Sequence, residues 1–156
     1  MKTIQKYICF ILLIILLFCG WLPSGFASSD SINWYTYDEG IVLRKIEKKK
    51  IFLHFWAEWC KYCAKMAKVT FKDPKVITYL NKNFISIKID IEKEHKIASN
   101  YNIIGLPVTW FISENGEEIS DLPGYVPPER LIEILKYVHT DSYKNMTLKN
   151  FSNKNK

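Results

Sequence analysis

The chain has 156 residues, 48% apolar and 24% charged, with a formal charge of +6. That length bounds it to one domain with a single sizeable core, and an aromatic share of 15% excludes a disordered chain, which lacks the apolar surface to offset its entropy. The positive excess lies outside the body: Lys2 and Lys6 precede residue 28, and from Asp141 onward one acid faces four lysines, so residues 28–140 hold only +1; no nucleic-acid partner is expected, because that would need a basic stripe on the domain itself.

Lys2 and Lys6 stand before an apolar run from Tyr7 to Leu22, and Gly25-Phe26-Ala27 offers a small-residue cleavage site. This is the pattern of a secretory signal peptide, assigned to residues 1–27 with cleavage after Ala27. Two alternatives stay open. The run could be an uncleaved anchor, although its length as a helix, roughly 24 Å, falls short of a ~30 Å hydrocarbon core and Pro23 stops it. It could also be a lipoprotein signal at Cys19, although Phe18 is bulky for that role. All three place the domain outside the cytoplasm, periplasmic or secreted. Removing residues 1–27 takes Cys9 and Cys19 and leaves Cys60 and Cys63, too few for a disulfide scaffold or a four-cysteine zinc site.

Residues 28–140 read as the folded domain. Ile32 to Tyr35 suits a short edge strand. Asp38 is expected to cap a helix to about Lys48, with Ile41, Val42 and Ile46 on one side. Ile51 to Trp56 is a continuous apolar run, as in a central strand covered on both faces. A helix starts near Cys60 and runs to about Thr70. Asp73-Pro74 gives a cap and a first-turn proline for a helix to Leu80. Phe84 to Asp90 alternates with period two and reads as a strand, Glu92 to Tyr101 as a polar helix, and Val108 to Ile112 as a strand. Asn115-Gly116 marks a hairpin returning through Glu118 to Asp121. Pro127-Pro128-Glu129 opens the last helix, with Leu131, Ile132, Leu135 and Val138 as its buried stripe. Residues 141–156 are rich in Asn and Lys and are expected to form a flexible tail. Strands and helices alternating in this order predict an α/β fold, a central mixed β-sheet flanked by helices on both faces.

The chemistry lies in Trp59-Cys60-Lys61-Tyr62-Cys63. Cysteines three apart at a helix start can close a disulfide across one turn. Cys60 sits at the open end, where unpaired N–H groups and the helix dipole favour a thiolate, and Lys61 adds charge of the same sign. An ordinary thiol is only ~3% thiolate at pH 7, whereas a pKa near 7 gives ~50%. Cys63, one turn in, is placed to resolve a mixed disulfide formed at Cys60. A purely structural disulfide would close too short a loop to constrain the unfolded chain much. Half of a metal site would lack partners, since His54, His95 and His139 have no ligand spacing, so no metal is expected.

Phe55 to Cys63 resembles the active-site segment of thioredoxins, and Gly105-Leu106-Pro107-Val108 resembles their cis-proline loop. Thr70 to Val76 is similar to something narrower: the C-terminal thioredoxin-like domain of membrane thiol-disulfide interchange proteins and related periplasmic thioredoxins. The resemblance covers about residues 32–139. It implies a thioredoxin-like fold and a cis bond before Pro107. It also implies that the Leu106 backbone pairs with an extended substrate beside Cys60. Trp59 would shield the disulfide and touch substrate, with plain packing as the rival role. There are three departures. Lys61-Tyr62 replaces the Gly-Pro of cytoplasmic thioredoxins, Ala67 stands where interchange domains often have an acid, and His54 stands where thioredoxins keep a buried acid. His54 is read either as a proton relay for Cys63 or as a core histidine bonded to a backbone carbonyl.

The sequence therefore reads as an exported thiol-disulfide oxidoreductase, a protein-disulfide reductase acting as a monomer on disulfide-containing exported proteins. No flavin or nicotinamide motif is present and no cofactor is expected, so reduction by a membrane electron donor of the thiol-disulfide interchange type follows. A thiol oxidant, or a binding module or holdase without turnover, are the rival readings.

Overall fold

The computed structural model describes residues 30–154; the expected signal segment, with Cys9 and Cys19, lies outside them. Five strands form one sheet: β1 (Trp34–Tyr35), β2 (Lys50–Trp56), β3 (Phe84–Asp90), β4 (Val108–Ile112) and β5 (Glu118–Pro123), in spatial order β1-β3-β2-β4-β5. β1, β3 and β2 run parallel, and β4 and β5 are added antiparallel through the hairpin at Gly116. Among the described residues the helices are α1 (Tyr37–Glu47), α2 (Lys61–Lys68), α3 (Pro74–Asn83), α4 (His95–Asn100), α5 (Pro128–His139) and α6 (Leu148–Lys154), the last packed on α5. Among the described residues no helix is long and apolar enough to cross a membrane.

Because successive strand side chains alternate faces, β2 feeds two cores. Ile51, Leu53 and Phe55 join Ile85, Ile87 and Ile89 beneath α1 and α4. Phe52 joins Phe111 beneath Met66 of α2, Leu80 of α3 and Leu135 of α5. This is the mixed sheet flanked on both faces that the sequence implied, with β2 at its centre. β3 is the strand expected from its alternation, but both of its sides are covered. Ser86, Lys88 and Asp90 form its polar side, yet that side lies under helices, and Ser86 is buried.

Several local expectations are corrected. The cap of α1 is Thr36 rather than Asp38. Its hydroxyl accepts the Glu39 N–H at 3.4 Å while the Glu39 carboxylate accepts the Thr36 N–H at 2.9 Å, a reciprocal box of the kind worth about 1 kcal/mol. Val42 and Ile46 are exposed, and the helix turns Gly40 and Arg44 inward instead. A Cβ on Gly40 would stand 2.3 Å from Ile87 Cδ1, so glycine is what lets α1 lie against β3. Arg44 donates from Nη1 to the Glu114 carbonyl at 2.8 Å. The polar helix after β3 shrinks to α4. On α5, Ile134 is buried and Ile132 only partly so.

The segment expected as a flexible tail is folded as far as Lys154. A 3₁₀ turn (Ser142–Lys144) precedes α6. Asp141 pairs with buried Lys50 at 3.3 Å, the Tyr137 hydroxyl donates to the Met146 carbonyl at 2.6 Å, and the Phe151 ring lies 5.4 Å from that of Tyr137. Long-range contacts, which composition does not report, hold this segment.

Candidate active site

β2 ends at Trp56 and the chain turns through Ala57-Glu58-Trp59 into α2, with Cys60 as its cap in extended conformation and Cys63 in the first turn. The two sulfurs are bonded at 2.12 Å, with Cα atoms 5.2 Å apart. The Cys63 N–H donates to Cys60 Sγ at 3.1 Å. A backbone donor aimed at a sulfur at a helix start favours its thiolate, so the asymmetry expected between the two cysteines has a geometric basis. Both are covered in this oxidised state, at 5% and 3% exposure, with Ala57, Trp56, Ile91 and Leu106 packed around them.

The Leu106–Pro107 bond is cis. Leu106 packs on the cysteine cluster, and the Pro107 carbonyl accepts the Gly124 N–H at 2.7 Å, tying the loop to the end of β5. Among the described residues nothing bonds the Leu106 N–H or C=O. A cavity of about 310 Å³ opens beside the loop, lined by Ile104, Leu106, Pro107, Trp110, Asp121 and Gly124 among others. Trp59 and Tyr62, on either side of Cys60 in sequence, are exposed at 65% and 63%. The Trp59 indole N–H donates to Glu92 Oε1 at 3.1 Å, so this exposed ring is held at its edge and is not part of the core.

His54 is 1% exposed, walled by Phe71 at 4.9 Å between ring centres, Trp34 at 6.3 Å and Phe52 at 6.4 Å. Its partner is not a backbone carbonyl: Nδ1 meets the Thr109 hydroxyl at 3.0 Å across the β2–β4 pair. Burial, and secondly the charge of Lys88, push its pKa down to about 3. Both effects favour the neutral imidazole, hydrogen-bonded to Thr109; the relay expected from the sequence would have to take its proton against them.

Reading the sequence missed Thr109, Glu92 and Lys88. Thr109 and Glu92 carry no local signal, because each matters only through a long-range partner. Lys88 carried one: it sits among Ile85, Ile87 and Ile89, on the polar phase of β3 that the helices cover. In register it lies beside His54, with its Nζ 4.1 Å from the Trp56 ring centre.

Comparison with known proteins agrees with this geometry. The thioredoxin-like domain model matches residues 37–139. The thiol:disulfide interchange protein DsbD of Haemophilus ducreyi is 32% identical over 84 residues, 51% of this chain and 14% of that protein, so the chain corresponds to a small part of that relative's length. The thiol-disulfide oxidoreductase ResA of Bacillus thuringiensis is 29% identical over 118 residues, 63% of this chain and 68% of that one. Among solved structures, a thioredoxin from Thermus thermophilus superposes with a TM-score of 0.63 and 26% identity, covering 69% of this chain and 87% of its own. With its sheet order, its disulfide at the head of α2 and its cis-proline loop, the chain belongs to the thioredoxin-like domain family.

Proposed function

We propose that the protein is exported and reduces disulfides of other exported proteins through Cys60 and Cys63. The Cys60 thiolate attacks a substrate disulfide; one substrate sulfur leaves as a thiol and the other stays bonded to Cys60. Cys63, as thiolate, then attacks Cys60 Sγ, expels the second substrate thiol and closes the Cys60–Cys63 disulfide. Two electrons pass to the substrate, and a membrane donor of the thiol-disulfide interchange type restores them. An extended substrate segment runs along the Leu106 backbone beside Pro107, with the exposed Trp59 as a further contact. The observation that carries the order of the thiols is the Cys63 N–H bond to Cys60 Sγ at 3.1 Å.

Direction is tested by potential. Equilibration with glutathione, followed by the fluorescence of Trp56 and Trp59, should give between about −200 and −270 mV, the glutaredoxin-to-thioredoxin range. A value above about −150 mV would turn the assignment into a thiol oxidant. That second reading draws its support from the neutral His54, which leaves no carboxylate at that position to oppose a thiolate. Insulin reduction with dithiothreitol tests turnover, and full biological activity in Cys60→Ser would assign a binding role instead.

A further inference from the structure

The near-neutral sum over residues 28–140 hides a separation of charge. Residues 61–83 hold Lys61, Lys65, Lys68, Lys72, Lys75 and Lys82 against Asp73 alone, so this stretch carries +5 and the rest of residues 28–140 carry −4. Asp73 is engaged as a cap: its carboxylate accepts the Lys75 and Val76 N–H groups at the head of α3. All six lysines are exposed, and none of them forms an ion pair among the described residues. Lys65 lies over the Tyr125 ring at 4.3 Å, which leaves its charge unpaired. Spacing puts the six in a row. Lys61, Lys65 and Lys68 recur at four and three residues on α2, on the side away from buried Cys63 and Met66. Lys75 and Lys82 share the side of α3 away from buried Ile77 and Leu80, and Lys72 stands on the turn between the two helices. Both helices cover the same core, so their outer sides make one lysine face, bordered by the exposed Tyr62 and Val69. The acids gather elsewhere, with Glu117, Glu118 and Asp121 on the β4–β5 hairpin. We propose that this lysine face docks on an anionic lipid bilayer. Arginine's planar fork suits paired oxygens in fixed positions, whereas lysine is a compact point charge, and residues 61–83 contain no arginine. A row of point charges with Tyr62 and Val69 beside it matches a diffuse negative surface above an apolar layer. The row starts at Lys61, next to Cys60, so the docked protein brings its disulfide to the bilayer, where a membrane donor would meet it.

Amine acylation followed by peptide mass spectrometry tests the docking on the full chain, because it reads which face is covered rather than whether the chain is held on a vesicle. On vesicles that mix phosphatidylglycerol with phosphatidylcholine, Lys65, Lys68, Lys72 and Lys75 should acylate roughly tenfold more slowly than on phosphatidylcholine alone, since each lysine near an anionic surface adds about fivefold in affinity. Lys45 on α1 and Lys96 on α4, helices that cover the other side of the sheet, should keep their rates. High salt should remove the difference. Lys68→Gln, Lys72→Gln and Lys75→Gln together should weaken docking about a hundredfold and return Lys61, Lys65 and Lys82 to their phosphatidylcholine rates. Lys45→Gln, Lys93→Gln and Lys96→Gln remove the same net charge and should leave the protection in place. Equal rates on the two vesicles, or protection lost equally in this second set, overturn the proposal. Protection by duplex DNA at a salt concentration where mixed vesicles give none also overturns it and assigns the face to nucleic acid. The docking does not rest on the thiol chemistry: Cys60→Ala should show the same protection, so this inference and the redox reading fail separately.

Discussion

Lys50 and Lys88 stand on neighbouring strands, both withdrawn from water, and the molecule treats them in opposite ways. Lys50, at the start of β2, is 7% exposed and meets two carboxylates, Glu114 at 3.2 Å and Asp141 at 3.3 Å. Lys88, toward the disulfide, meets two indole rings and no described carboxylate. Where a buried charge serves the fold, its desolvation is offset by pairing, and the pair clamps the hairpin and the C-terminal segment to the sheet. Toward the disulfide the ammonium lies against two aromatic faces instead, with Asp90 acting on it only through space.

Disabling each end in turn is the strongest way to break this contrast. Cys60→Ala should abolish insulin reduction while costing little stability, since the disulfide closes a loop of only a few residues. At the other end, Lys50→Met should leave the glutathione equilibrium unmoved and lower the unfolding free energy by about 1–3 kcal/mol in urea titration. This is less than a fully buried pair would cost, because both carboxylates are about a third exposed. A redox constant that moves in Lys50→Met would erase the distinction between the ends.

The clamp also has a pH signature. The backbone N–H of Glu114, helped by Lys50, holds the Glu114 carboxyl below its ordinary 4.5. Burial resists ionisation of Asp141, but Lys144 and Lys50 together outweigh it and hold that carboxyl below 3.8. Carboxyl groups with depressed folded pKa values stabilise the fold above their unfolded values and lose that contribution as pH falls through the folded ones. Melting temperature should therefore drop below about pH 4, and more shallowly in Lys50→Met. Equal slopes would contradict the clamp.

Two smaller effects sharpen the picture of the redox end. Trp59→Ala should lower kcat/KM for protein substrates about three- to tenfold, near 1 kcal/mol of contact, with an unchanged melting temperature, because the Trp59 ring is exposed and its hydrogen bond to Glu92 lies at the surface. His54→Phe should have the least effect on pH dependence. With an imidazole pKa of about 3, the rate of mixed-disulfide resolution should show the same profile from pH 6 to 8 as wild type. A changed profile in stopped-flow measurements would restore His54 as the proton relay.

The same contrast explains what could be read in advance. Phe55 to Cys63, Asp73-Pro74 and Leu106-Pro107 are local signals, each decided by neighbours in sequence, and the structure places them as expected. One misreading is local: Thr36 and Glu39 form a legible box that the assignment of Asp38 passed over. The others are long-range. Gly40 and Arg44 face inward only because Ile87 and Glu114 wait there. The segment after Asp141 looked unstructured because its anchors, Lys50 and Tyr137, belong to other elements. Lys88 followed the same rule: alternation on β3 marks a polar face, but only the packing of α2 and α3 shows that the face is covered.

The most direct test of the account is which sulfur receives the substrate. In the Cys63→Ala protein, incubation with exported proteins carrying disulfides, followed by peptide mass spectrometry, should find mixed disulfides at Cys60 in high yield. Cys60→Ala under the same conditions should capture little. Adducts that accumulate at Cys63 in Cys60→Ala but not at Cys60 in Cys63→Ala would contradict the assignment of nucleophile and resolving thiol.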